Sequence, residues 1–318
     1  MKINLKSVIE GRGFFKRYLL FLIPLIVIII FSTATNDSLP LLSSLASIVQ
    51  SYLYMLLWIA VLIYIVPSVS FRDEGFAFSG SVGEFAPKML KWYLLTIITL
   101  GIYSPWMIRN LADYCLSRLS YKEDSGEFLS SPGKLLKYIL LTLYLPLIIL
   151  TVLFVILMQA RIDSYAYSNA GAIAVPTFLF MVFLFLIIIP FMYYYFVWLL
   201  NIRLGSYRLE FRNSMKSFAG FLIPQLLLCL ITCFIYYPAA VVKIYSYLVN
   251  GSVFIDDEGL VRGGFGFDGK TGKGWGLIWG QGLLTVLTAG IYGPWAIAKI
   301  SNWVLNNTGI DEGRAAVE

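Results

Sequence analysis

Apolar residues along this chain come in long blocks rather than in short alternations. The blocks cover residues 18–31, 45–66, 89–108, 138–158, 173–200 and 218–242, with a seventh at 275–297. Most approach the ~20 residues that carry a helix across a hydrocarbon core of ~30 Å. Two blocks are punctuated, because Gly101-Ile102-Tyr103-Ser104-Pro105 and Gly290-Ile291-Tyr292-Gly293-Pro294 each set a helix terminator and a proline close together. Proline lacks an amide donor and pushes the residue before it out of helical geometry, yet it suits the first turn of a new helix. The pattern therefore predicts a helix that ends near Leu100 and another that starts at Pro105. After the break Met107, Ile108, Leu111, Ala112, Cys115 and Leu119 recur at helical spacing, with Arg109, Asp113, Arg118 and Lys122 between them. That is the pattern of an amphipathic helix lying in a membrane interface.

The punctuated blocks belong to a longer repeat. Phe76-Ala77-Phe78-Ser79-Gly80 leads into Leu95-Thr96-Ile97-Ile98-Thr99-Leu100-Gly101-Ile102-Tyr103-Ser104-Pro105-Trp106. With the same internal spacing, Phe265-Gly266-Phe267-Asp268-Gly269 leads into Leu284-Thr285-Val286-Leu287-Thr288-Ala289-Gly290-Ile291-Tyr292-Gly293-Pro294-Trp295. A decayed copy between them keeps Phe211, Phe218, Thr232, Ile235, Tyr236 and Pro238, with Asn213, Phe234 and Ala239 where the others have the lead-in glycine, the break glycine and the tryptophan. Repeats point to repeated structural units. The Phe-x-Phe-x-Gly lead-in reads as a short β-strand or hairpin. Gly101 and Gly290 are expected in a backbone conformation closed to larger residues, Pro105 and Pro294 to restart the helix, and Trp106 and Trp295 to anchor at the headgroup level.

Composition agrees with a membrane protein: 59% of residues are apolar, 13% are charged and the mean hydropathy is +0.78. Charge then discriminates between topologies. With seven crossings and the N-terminus inside, 13 of the 24 Lys and Arg residues fall inside and 11 outside. If the three repeat segments return to the side they left, 23 of 24 lie inside and Arg161 alone is outside, as the positive-inside rule demands. The basic lead from Lys2 to Arg17 and the second block close behind favour a retained first helix over a cleaved signal peptide. The expected fold is an all-α polytopic membrane protein, a single integral membrane domain over 1–318. It has four spanning helices plus three broken-helix units, re-entrant or interfacial, at about 71–122, 206–250 and 262–308, each opened by a short Gly-containing β-like segment. The alternative runs to seven spans.

The Phe-x-Phe-x-Gly lead-in followed by Leu-Thr-x-x-Thr-x-Gly-Ile-Tyr-x-Pro-Trp resembles the signature of the YjgN-like bacterial inner-membrane proteins, a family of unknown function. The resemblance is strong at 76–106 and 265–295 and faint at 211–238. It implies a multi-pass protein of the bacterial inner membrane, here with a cytoplasmic N-terminus, and brings no catalytic residue or substrate.

Other local patterns have plain accounts. Gly264 to Thr271 satisfies the Gly-x-x-x-x-Gly-Lys-Thr phosphate-loop expression, but a charged loop precedes it and a membrane segment follows. Cys229 and Cys233 stand one helical turn apart among leucines and read as core. With Cys115 they are the three cysteines, and without histidine neither a disulfide framework nor a histidine-containing zinc site is expected. Tyr193, Tyr194, Tyr195, Phe196 and Trp198 read as an interfacial belt, as do Tyr165 and Tyr167 beside Arg161, Asp163 and Asn169. Arg203, Arg208, Arg212 and Lys216 form a basic loop suited to anionic headgroups, each charge contributing ~1 kcal/mol near such a surface.

No Asp, Glu, Lys or Arg lies deep in the four expected spans, which disfavours a proton-coupled carrier. No acid/base pair or metal triad stands out, so no enzyme activity and no cofactor are expected. The expected role is structural or interaction-based, with membrane lipids as partners and no nucleic acid. The alternative is a passive channel or transporter, with Thr96, Thr99, Thr285, Thr288, Tyr103 and Tyr292 lining a path through the broken helices.

Overall fold

The computed structural model describes residues 2–162 and 170–312. The chain opens with β1 (Lys2–Asn4) and β2 (Lys6–Ser7), then the helices α1 (Gly11–Thr35) and α2 (Pro40–Ile65). Strands β3 (Val69–Phe71) and β4 (Glu74–Phe78) lead to α3 (Val82–Ile98) and α4 (Ser104–Ser117). Next come β5 (Leu119–Tyr121) and β6 (Asp124–Phe128), followed by α5 (Pro132–Ile139), which continues through a π-helical stretch, Leu140–Tyr144, into α6 (Leu145–Ile162), and by α7 (Ala170–Leu199). Strands β7 (Ile202–Leu204) and β8 (Tyr207–Phe211) precede α8 (Met215–Ile231) and α9 (Tyr237–Asn250). The chain closes with β9 (Ser252–Ile255), β10 (Val261–Phe267), α10 (Thr271–Leu287), α11 (Gly293–Asn306) and β11 (Thr308–Asp311).

The strands make one antiparallel sheet of 11, in the order β1-β11-β10-β9-β8-β7-β6-β5-β4-β3-β2. Its two ends are consecutive halves of the N-terminal segment, joined at Leu5, so the sheet is nearly closed into a barrel. The all-α expectation is therefore wrong. The strands escape the hydrophobic pattern because most are three to five residues long, and they lie in segments rich in charge. Tight turns make them possible: Arg72 and Asp73, at φ +52 and +64, form the two-residue loop between β3 and β4. Such positive φ values match the right-handed twist of the flanking strands.

Each gap between neighbouring hairpins of the sheet is filled by a pair of helices. In α1, in α2, from Pro132 to Gln159 and from Ala174 to Leu199, helices are long and apolar enough to cross a membrane. The three blocks carrying the repeat behave differently. α3 leaves β4 and α4 returns to β5, and these two strands pair through Phe76↔Tyr121 and Phe78↔Leu119. α8 and α9 run out and back between the paired strands β8 and β9, as α10 and α11 do between β10 and β11. Each such pair is a helical hairpin that ends where it began, so α4 is a returning arm against α3 and not a separate helix lying across the others. Neighbouring helical pairs touch all the way round, from α11 back to α1. The largest buried side chains, among them Phe14, Phe85, Phe218, Leu135 and Trp198, lie toward the sheet end of these helices.

Two of the helix starts at the sheet are capped by serine. The Ser81 and Ser214 hydroxyls accept from the Glu84 and Ser217 amides at the starts of α3 and α8. These bonds satisfy donors that have no partner within the helix.

Candidate functional site

The turn of each short hairpin is built the same way three times. The outgoing helix ends at Thr99, Thr232 or Thr288. The next two residues take positive φ: Leu100 and Gly101, Cys233 and Phe234, Ala289 and Gly290. The amide of the second reaches back five residues, Gly101 to the Thr96 carbonyl at 2.8 Å, Phe234 to Cys229 at 2.7 Å and Gly290 to Thr285 at 2.8 Å. This closure satisfies carbonyls that the helix end leaves open.

The threonine hydroxyl then ties the two arms together. Thr99 Oγ1 donates to the Leu95 carbonyl at 2.7 Å and accepts from the Tyr103 amide at 3.0 Å. Thr232 and Thr288 repeat this with Leu228 and Tyr236, and with Leu284 and Tyr292. Thr96 and Thr285 likewise donate to carbonyls of their own helices. These hydroxyls are engaged by backbone, which leaves little with which to line a path. Pro105, Pro238 and Pro294 follow as buried residues of the first turn of the returning helix.

Next to the turns lie polar contacts that the sequence did not suggest. The Tyr236 hydroxyl donates to Gln225 Oε1 at 2.8 Å, and the Tyr292 hydroxyl donates to Gln281 Oε1 at 2.9 Å while accepting from Lys299 Nζ at 3.0 Å. Trp275 and Trp279, from α10, both donate their indole N–H to the Ile235 carbonyl in the neighbouring turn at 2.9 Å. Trp106 stacks on Tyr103 at 6.0 Å and Trp295 on Tyr292 at 5.9 Å, so both tryptophans stand beside the turns. The equal spacing of Gln225 to Tyr236 and Gln281 to Tyr292 was the signal available in the sequence.

The turns and the helix ends that lead into them are apolar and bare: Leu100 is 92% exposed and Phe234 60%, and the last helical residues Ile231 and Leu287 are 76% and 80% exposed. By contrast the turn joining α1 to α2 holds Asn36, Asp37 and Ser38. The third turn reaches only part of the way along α1. A Cβ on Gly290 would lie 3.2 Å from Leu22, and Leu22 is close to the middle of α1.

The lead-in residues sit at the sheet end. Phe76 packs on Tyr121 at 5.0 Å and Phe265 on Phe254 at 4.7 Å, both across strand pairs. The rings of Phe78 and Phe267 fold over Gly80 and Gly269, where an added Cβ would come within 2.5 Å and 2.2 Å of them. The phosphate-loop-like segment does run from β10 into α10, contrary to the sequence reading, but in an antiparallel sheet and with the Phe267 ring over Gly269.

Arg203, Arg208 and Arg212 converge on a cavity of about 320 Å³ together with Glu210, Asp256 and Asp257. Arg208 bonds to Glu210 at 3.0 Å and Arg203 lies 3.8 Å from Asp257. Burial raises the Asp256 pKa, but the Leu260 amide and the Arg262 guanidinium outweigh it and hold the carboxyl below its ordinary value. Lys216, exposed in the first turn of α8, does not line this cavity. The arginines thus share their charge with carboxylates, which lowers their combined pull on an anionic surface. Cys229 is buried and Cys233 exposed at the turn, so they do not face one site. Asp163, Tyr165, Tyr167 and Asn169 lie outside the described residues, as does the side chain of Arg161.

One family model, described as a bacterial protein of unknown function (DUF898), matches residues 11–260. No curated protein and no solved structure matches the chain.

Proposed function

We propose, from the premise that this chain belongs to the DUF898 family of bacterial proteins, that it is a multi-pass protein of the inner membrane that organises lipid in the cytoplasmic leaflet. In this reading the sheet faces the cytoplasm, four helices cross, and three hairpins enter one leaflet and turn back within it. The carrying observation is the contrast between turns. An apolar turn exposed as fully as Leu100, led into by a helix end as bare as Leu287, is at home in hydrocarbon, whereas Asn36, Asp37 and Ser38 suit the far aqueous side. The level of Gly290 against the middle of α1 supports the same depth. Irregular backbone is tolerated there because its donors are bonded internally and the Ile235 carbonyl is bonded by tryptophan. Basic residues at the sheet end favour a cytoplasmic sheet.

Helices on one side of the bilayer then outnumber those on the other, so the protein displaces more lipid from the cytoplasmic leaflet. Ordering that leaflet is a structural role that needs no reactive group.

Single cysteines test this, in a background with Cys115, Cys229 and Cys233 replaced. Probes at Leu100→Cys and Leu287→Cys should be quenched most by lipids labelled at mid-chain and escape impermeant reagents from both sides. Asp37→Cys should react from the periplasm and Ser125→Cys from the cytoplasm only. Periplasmic labelling at position 100 or 287 would overturn the reading and favour a channel.

A further inference from the structure

A cavity of about 290 Å³ lies where α8 and α9 meet the start of α10, beside the sheet. Lys243 supplies its one charge, and no carboxylate lines it. The Lys243 ammonium stands over the Tyr236 ring, 5.5 Å from its centroid. Asn213 and Ser246 add polar groups, and Ser246 Oγ accepts from Asn250 Nδ2 at 3.1 Å. Thr271, also at the wall, begins the 17-residue helix α10. The apolar wall is Phe221 stacked on Tyr247, with centroids 4.2 Å apart.

The next hairpin shows what this arrangement looks like when it is filled from within. Lys299, Asn302 and Asn306 on α11 hold the positions that Lys243, Ser246 and Asn250 hold on α9. There the N-terminal segment occupies the space: Asn302 bonds to both the amide and the carbonyl of Ile9, and Asn306 does the same with Ser7. At α9 the corresponding contact is made by β10, whose Phe267 amide donates to Asn250 Oδ1 at 2.9 Å, while Lys243 and Ser246, the latter shorter than its counterpart Asn302, line the cavity.

We propose that this cavity binds a phosphate group, with Lys243 as its counter-ion, and that the phosphate is that of a lipid headgroup. The choice of lipid rests on the leaflet reading above, in which the cavity lies beside the cytoplasmic sheet with Tyr247 on the sheet side of Lys243. A single cation without a competing carboxylate suits an oxyanion, and hydroxyl and amide donors complete its hydrogen bonds. The arginine cavity on the sheet lacks this quality, since Glu210, Asp256 and Asp257 already answer its cations.

Native mass spectrometry of the detergent-purified full chain, titrated with phosphatidylglycerol, tests the site. Lys243→Gln should weaken the tightest lipid adduct about tenfold, the loss of one charge-assisted contact. Lys243→Arg should retain it, and Lys134→Gln, on another hairpin, should leave it unchanged. Displacement of the adduct by inorganic phosphate at matched concentration would keep the phosphate site and assign it to a soluble ligand. Equal lipid retention by wild type and Lys243→Gln, with both monodisperse, overturns the proposal. Deep turn probes with an unaffected Lys243→Gln would remove only this site. Shallow probes with a weakened Lys243→Gln would remove the leaflet reading and leave the site.

Discussion

Phe234 occupies a conformation that the other two turns give to glycine. At φ +66 it sits where L-residues suffer a clash between Cβ and the backbone, a cost of roughly 1–2 kcal/mol. Phe234→Gly should therefore raise the thermal midpoint in detergent by relieving about 1 kcal/mol, offset in part by lost ring contacts. Gly101→Val should do the reverse and by more, because valine is β-branched; nothing lies within 4 Å of a Cβ there, so the penalty is conformational and not steric. Equal midpoints for wild type and both variants would show that the turn is not held in this geometry. The glycines at 101 and 290 were readable from sequence because a proline follows four residues later. The positive φ at Phe234 was not, since nothing local marks a phenylalanine for it.

The helical hairpin is the element these turns create, and its threonine holds two helices with one hydroxyl. Thr288→Val keeps the shape but leaves the Tyr292 amide without its acceptor and should cost roughly 1–3 kcal/mol. Thr288→Ser should recover most of the loss, which thermal unfolding in detergent would record; a valine variant as stable as the serine one would deny the hydroxyl this role. The break was legible because Gly and Pro interrupt an otherwise continuous apolar run. The path of the returning arm was not. Met107, Leu111 and Cys115 on α4 have the stripe of an interfacial helix, yet they pack with Phe85 and Met89 of α3. A stripe on one face says that something covers it, and here the cover is protein instead of headgroups.

At the scale of the whole molecule the sheet decides the architecture, and it was the least visible part. In β5 and β6, 119–128, Leu119 and Lys122 continue the helical spacing of the stripe before them, yet the segment forms a hairpin held between β4 and β7. β1 is harder still, since Lys2 pairs with Asp311 at the other end of the chain. The seam is clasped by ion pairs, Lys6 with Asp73 at 2.6 Å and Arg72 with Glu312. Exposed pairs of this kind contribute ~0–1 kcal/mol each, so the backbone pairing and the amides of Asn302 and Asn306 carry more of the closure. Because β1 and β11 lie side by side, joining the termini by a short flexible linker and opening the chain at Gly205-Ser206 should give a protein that inserts and melts like the original. Failure of that permutant to accumulate would mean that the order of insertion, and not the final contacts, governs assembly.

The same seam has a consequence for biogenesis. Strand β1 has no partner until β11 is made, so it remains an open edge while the helices between them are synthesised. An unpaired strand edge invites pairing with other chains. Closure thus acts as a late checkpoint in synthesis, and a truncated product lacking β11 would carry its hydrophobic hairpins with the ring still open.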